Sequence, residues 1–147
     1  MLRKLVTLTK ILVIEDEDEL RDAIIDILNL EKFQVMSASN GQEGIALAEK
    51  EKPDLILCDV MMPELDGYGV ISALRQNPEL ATIPFVFLTA KSEKQDLRQG
   101  MKLGADDYLT KPFSRTELLE AIAAQFRKQE AYEHKQDLRT YYEKPSS

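Results

Sequence analysis

What most constrains this chain is an alternation of very short aliphatic runs with stretches of helical period. Ile11 to Ile14 reads ILVI, Leu55 to Cys58 reads LILC and Pro84 to Leu88 reads PFVFL. Such runs are too short for buried helices and lack the alternation of a half-exposed strand, so they suit strands covered on both faces. Leu20, Ile24, Ile27 and Leu28 then recur at i, i+4, i+7 and i+8, along one side of a helix. Phe33 to Ala38 reads as a second strand. Asn40 with Glu43 predicts a capped helix start, continued by Ile45 to Ala48 and ended by Pro53. Asp66-Gly67 leads into a short helix holding Val70 and Leu74. Ser92 with Gln95 signals another cap, for a helix that turns Leu97 and Met101 inward and stops at Gly104. Tyr108 to Thr110 is a short fifth strand. Ser114 with Glu117 caps a last helix carrying Leu118, Ile122 and Phe126. Five strand–helix pairs predict an α/β fold, a doubly wound parallel sheet with right-handed crossovers and helices on both faces.

The domain organisation follows the same pattern. Residues 1–9 form a lead-in, 10–128 the folded unit, and 129–147 a polar extension of the last helix ending in a tail. A chain of 147 residues is one domain's worth and long enough to bury a core. Its 19 Lys+Arg against 26 Asp+Glu argue against direct binding of nucleic acid or an anionic membrane by this domain. The single cysteine, Cys58, excludes an internal disulfide and fits a reducing compartment. No apolar run approaches the ~20 residues of a membrane helix. The start, MLRKLVTLTKILVIEDE, has acids where a signal peptide needs small residues at its cleavage site. A cytoplasmic location is the expectation.

Ligands of an open parallel sheet bind beyond the carboxyl ends of its strands. The first strand ends on Glu15 and Asp16, the third on Asp59, the fourth on Thr89, and the fifth just before Lys111. Two carboxylates ~4 Å apart repel by roughly 4 kcal/mol at an effective dielectric near 20. A divalent cation removes that conflict, and an all-oxygen set favours Mg²⁺, which pairs with phosphate. Lys111 adds a point charge for a phosphoryl oxygen and Thr89 a hydroxyl donor. The set suits phosphoryl transfer to a carboxylate nucleophile.

The segments ILVIEDE, DLILCDVMMPELDG, FLTAK and DYLTKPF, in this order and spacing, resemble the receiver domain of bacterial two-component response regulators over about Lys10 to Lys128. The resemblance implies a flavodoxin-like fold with strand order 2-1-3-4-5. It implies a signalling phosphoacceptor rather than an enzyme, one that takes part in its own phosphotransfer and autodephosphorylation. Asp59 would be phosphorylated from a sensor histidine kinase or a histidine phosphotransfer protein. Metal ligands would be Glu15, Asp16, Asp59 and the backbone carbonyl of Met61. Thr89 and Tyr108 look like a switch pair, and Lys111, before a cis Pro112, like the phosphate clamp. Glu15 departs from the aspartate of many members by one methylene. The output would pass through the surface of the last two helices to a downstream protein or a C-terminal effector domain, or to a phosphorylation-dependent homodimer. Both a stand-alone regulator and a receiver cut from a longer chain fit.

Simpler readings stand beside these. Glu17, Asp18 and Glu19 suit a helix N-terminus without any ligand. Asp66-Gly67 and Pro63 shape a turn, Cys58 is a buried small hydrophobe, and Met61 and Met62 pack the loop, apart from the Met61 carbonyl. His134, the one histidine, is a solvated side chain: the residues after it are spaced wrongly for a histidine-kinase box. A dehalogenase-type hydrolase would need a second acid where Met61 stands. A receiver-like binding module without phosphorylation would lack one of the acids or the lysine.

Overall fold

In the computed structural model, residues 9–90 and 97–142 are described. The aliphatic runs become strands because their backbone groups can be satisfied only by neighbours once water is excluded. The strands are β1 (Lys10–Ile14), β2 (Gln34–Ala38), β3 (Leu55–Asp59), β4 (Phe85–Ala90) and β5 (Asp107–Lys111). All pairs are parallel, in the order β2-β1-β3-β4-β5. This is the doubly wound, flavodoxin-like order expected, with β2 at an edge.

The helices are α1 (Asp18–Leu30), α2 (Gly41–Glu51), α3 (Gly67–Gln76), α4 (Leu97–Lys102) and α5 (Arg115–Tyr142). Side chains alternate across each strand, so the sheet feeds two cores. Ile11, Val13, Leu55, Leu57, Val86 and Leu88 pack with Ile24 and Leu28 of α1 and Leu118 and Ile122 of α5. Leu12, Ile14, Ile56, Cys58, Phe85 and Phe87 pack with Ala48 of α2 and Val70, Ile71 and Leu74 of α3.

The caps read from the sequence form as hydrogen bonds. Glu43 N donates to Asn40 Oδ1 at 2.8 Å. Ser114 and Glu117 make a reciprocal capping box, with Glu117 N to Ser114 Oγ and Ser114 N to Glu117 Oε1 both at 3.1 Å. Gly104 has φ +102°, the left-handed conformation that ends α4. The Ser92–Gln95 cap and the Leu97 side chain lie outside the described residues.

Two expectations of inward packing fail. Met101 is 43% exposed, and the buried contact of α4 is made by Gly100. A Cβ on Gly100 would meet the Phe87 ring, so α4 approaches the sheet too closely there for a larger side chain. Met61 is 59% exposed while Met62 is buried in the core, so only Met62 packs the loop.

Helix α5 has 28 residues, about 42 Å at 1.5 Å per residue. Its apolar period stops at Phe126, and residues 127–136 are all exposed, His134 among them. No helix among the described residues is long and apolar enough to cross a membrane.

The capping box is where sequence and geometry agree most closely at α5. Ser114→Ala should cost about 1 kcal/mol, read as a lowered urea midpoint with an unchanged m-value.

Candidate functional site

Sheet register, not chain proximity, brings the acids together. Ile14 stands opposite Cys58 in the β1–β3 ladder, so Glu15 and Asp59 follow side by side. Glu15 N continues the β1–β2 ladder to Ala38 O at 3.1 Å, holding the residue in strand geometry just past β1. Asp59 closes β3 opposite Leu88 of β4, and Lys111 closes β5 opposite Ala90.

The loop after β3 is drawn back under the site. Gly67 N donates to Val60 O at 2.8 Å, and a Cβ on Gly67 would overlap the Asp59 carbonyl oxygen. Asp66 caps α3 by accepting from Gly69 N at 2.9 Å. The Asp66-Gly67 turn is therefore a turn and helix start as expected, but Gly67 also fixes the backbone of Asp59. Nothing in the spacing signals this. Only the glycine itself, where the chain must pass its own backbone, does so.

Glu15, Asp16 and Asp59 each offer a carboxylate oxygen, and these lie within 4.8 Å of one another. Glu15 is fully buried, Asp59 nearly so and Asp16 exposed. Lys111 Nζ reaches across from β5 to Asp59 Oδ1 at 3.0 Å and to Glu15 Oε1 at 2.8 Å. The other Glu15 oxygen accepts from Glu17 N at 3.1 Å. The Lys111–Glu15 contact is an ion pair outside hydrogen-bond angles, so the buried Oε1 keeps an unfilled hydrogen-bonding direction.

Two buried carboxylates share one ammonium, and the titration of the site reflects this. Burial, then the Glu15 carboxylate, push the Asp59 carboxyl up from 3.8 to about 8, with Lys111 offsetting part of the rise. Burial pulls Lys111 down, but the two carboxylates outweigh it and leave its pKa above the ordinary lysine value. Burial and the nearby acids push the Cys58 thiol well up, so Cys58 stays an inert hydrophobe beside Asp59. The acidic oxygens, the unfilled Glu15 direction and the excess negative charge fit a hard divalent cation.

Thr89 is buried at the end of β4 and its hydroxyl donates to Ala90 O at 3.2 Å. It pairs with Thr110, while Tyr108 pairs with Phe87. By strand alternation Thr89 and Tyr108 project from the same face of the sheet, the one covered by α3. Tyr108 is 40% exposed. The Lys111-Pro112 peptide is cis. Glu17, Asp18 and Glu19 open α1, where Asp18 pairs with Arg21 at 2.6 Å, and they stand outside the acidic cluster.

Residues 11–123 match the family model described as the response regulator receiver domain. The chain is 46% identical over 125 residues to the alkaline phosphatase synthesis transcriptional regulatory protein PhoP of Bacillus subtilis, covering 82% of this chain and 50% of that protein. It is 42% identical over 119 residues to the probable transcriptional regulator ycf27 of Porphyridium aerugineum, covering 81% and 48%. The chain thus spans about half the length of these curated relatives. Among solved structures, the chemotaxis protein CheY4 of Vibrio cholerae matches with a TM-score of 0.76 at 28% identity, over 80% of this chain and 98% of that one. The receiver domain of the sensor histidine kinase PA1611 of Pseudomonas aeruginosa, with a magnesium ion in its active-site cleft, matches with a TM-score of 0.72 at 31% identity, over 78% and 93%.

The raised Asp59 carboxyl sets a pH dependence. The folded state binds this proton more tightly than the unfolded chain does, so this group's contribution to stability falls as pH rises from about 4 to about 8. In EDTA, Asp59→Asn should therefore melt roughly 5 °C above the parent at pH 9 and close to it at pH 4. Parallel pH profiles for the two proteins would contradict this account of the site.

Proposed function

The chain belongs to the receiver domains of two-component response regulators, and from that premise we propose that Asp59 is its phosphoacceptor. The observation that carries this is the Lys111 ammonium bridging Glu15 and Asp59 within a cluster of three strand-end acids. A carboxylate at the end of β3 presents an oxygen to the open side of the sheet. Its neighbours supply both the negative charge that recruits a cation and the positive charge that receives a phosphoryl oxygen.

In the step envisaged, a nucleophilic Asp59 oxygen attacks phosphorus, the bond to the donor's imidazole nitrogen breaks, and an acyl phosphate forms. The donor is a phosphohistidine on a sensor histidine kinase or a histidine phosphotransfer protein. Glu15, Asp16, Asp59 and the Met61 carbonyl would hold a Mg²⁺ ion, which would supply charge neutralisation for the phosphoryl oxygens. Lys111 gives up its contact with Asp59 and pairs with a phosphoryl oxygen. Thr89 donates its hydroxyl to another. Burial of Glu15 keeps its carboxylate in place through the Glu17 N–H while charge moves around it.

Phosphorylation adds roughly two negative charges at this point. Thr89 moves toward them, and the exposed Tyr108 ring turns into the space it leaves on the same face of the sheet. The surface of α4, β5 and α5 changes with it and carries the signal to a downstream partner, an effector domain or a second copy of the chain. Only a few kcal/mol separate the two states, because the phosphoryl group shifts an existing equilibrium by no more than its differential affinity. The folded unit spans 10–128, α5 beyond it serves as a linking extension, and the domain works in the cytoplasm.

Acetyl phosphate with Mg²⁺ should label the chain with a base-labile phosphate that is absent in Asp59→Asn and in EDTA. Labelling that survives either change defeats the assignment. Lys111→Ala should still accept some phosphate while losing the Tyr108 NMR shift change that follows labelling of the parent; an unaltered shift change removes Lys111 from the switch.

A further inference from the structure

Two surface patches on opposite faces of the sheet complement each other. The first is a groove of about 470 Å³ beside α5, at the end of the sheet away from the acids, where Phe33 and Asp54 lead into β2 and β3. Its floor is Phe33, Leu119, Ile122, Ala123 and Phe126, with the two phenylalanine rings 6.1 Å apart. Its rim sets Glu31, Asp54, Glu130 and Glu133 against one cation, Arg127. Glu31 is paired with Arg115, and Asp54 accepts from Lys10 N. Glu130 and Glu133 are exposed and form no ion pair among the described residues.

The second patch is the outer side of α4. Arg98, Met101 and Lys102 stand at i, i+3 and i+4, so they share one side of the helix, and all three are exposed. Neither cation forms an ion pair among the described residues. The inner side of α4 seats Gly100 against Phe87, in the core covered by α2 and α3. Ile122 and Phe126 of the groove belong to the other core. The sheet therefore separates the two patches, and α4 cannot fill the groove of its own copy.

We propose that the groove receives α4 of a second copy of the chain. Met101 enters over the Phe126 ring, and Arg98 and Lys102 face Glu130 and Glu133. An unbranched thioether fits irregular apolar gaps and sits well against aromatic rings, while the charges set the orientation. Because the patches lie on opposite faces, two copies cannot exchange them mutually. Each contact leaves one groove and one α4 free, and the copies add head to tail. So short a helix covers less than a standard interface, which makes the association weak and concentration-dependent. Neither patch includes an acid of the mouth, so the contact stands apart from the phosphoacceptor reading.

Sedimentation of the full, unphosphorylated chain over a concentration series should give an average mass that rises past that of two copies. Arg98→Ala with Met101→Ala and Lys102→Ala should weaken this association about tenfold, and so should Glu130→Lys with Glu133→Lys. Mixing the two variants joins the intact α4 of one to the intact groove of the other. The mixture should therefore associate as the parent does but stop at two copies, and this recovery shows both variants to be folded. In the labelled parent, the amide shifts of residues 98–102 and 122–133 should move together with concentration. A parent that stays monomeric, a variant that associates like the parent, or a mixture that fails to pair or grows past two copies overturns the proposal. So do shifts that move at Asp16 and Asp59 in place of the groove, since they would seat α4 on the acidic mouth.

Discussion

Two buried carboxylates, Glu15 and Asp59, sharing the Lys111 ammonium with Asp16 beside them are the constraint to which the rest of the molecule answers. Left alone, such a cluster pushes its members apart or forces one of them to keep a proton, as the Asp59 carboxyl at about 8 shows. The fold holds Glu15, Asp59 and Lys111 together because each lies in a strand or on the ladder that continues it. Glu15 is pinned through its own N–H to Ala38, Asp59 sits at the end of a central strand, and Lys111 closes the neighbour of β4. The two apolar cores above and below the sheet supply the rigidity that the acids oppose. Acids held close by packing elsewhere fit a site that takes a cation.

Much of this was legible in the chain. The ILVI, LILC and PFVFL runs specify buried parallel strands because nothing else buries four consecutive apolar residues so briefly. Once the strands are parallel, the residue after each run must lie at one common end, so Glu15, Asp16, Asp59, Thr89 and Lys111 converge by topology alone. The capping pairs Asn40–Glu43 and Ser114–Glu117 were equally readable, since a cap is a local interaction between residues three apart.

What sequence could not show depends on close approach between distant segments. Met101 has the spacing of a core residue, yet α4 seats Gly100 against Phe87, and a helix rotated to fit a glycine turns the methionine outward. Gly67 resembles any glycine after a turn aspartate, and its contact with the Asp59 carbonyl appears only when the loop is closed. Met61 and Met62 are chemically alike and adjacent, but the sharp exit from β3 sends one to solvent and the other to the core. Each of these is a tertiary override of a local preference.

The two ends of the sheet divide the labour. The carboxyl ends gather charge and stay open, which makes them responsive to a ligand. At the other end, Arg75 of α3 donates to Ile83 O and Gly104 O, both at 2.8 Å, and pairs with Asp106, whose carboxylate also accepts from Phe85 N. That network ties α3 to the entries of β4 and β5. A displacement of β4 or β5 at the acidic end therefore cannot be absorbed by slippage of the strands through the sheet. In the proposed switch it would be expressed sideways, where α4 rests on the sheet through Gly100 and where α5 is capped just after Pro112. Among the described residues α4 meets the sheet through Gly100, and the apolar contacts of α5 end at Phe126, so both helices lie beside the strands that carry Thr89 and Lys111. In the proposed switch, a fold clamped at its base and charged at its mouth would direct a change at Asp59 toward those two helices.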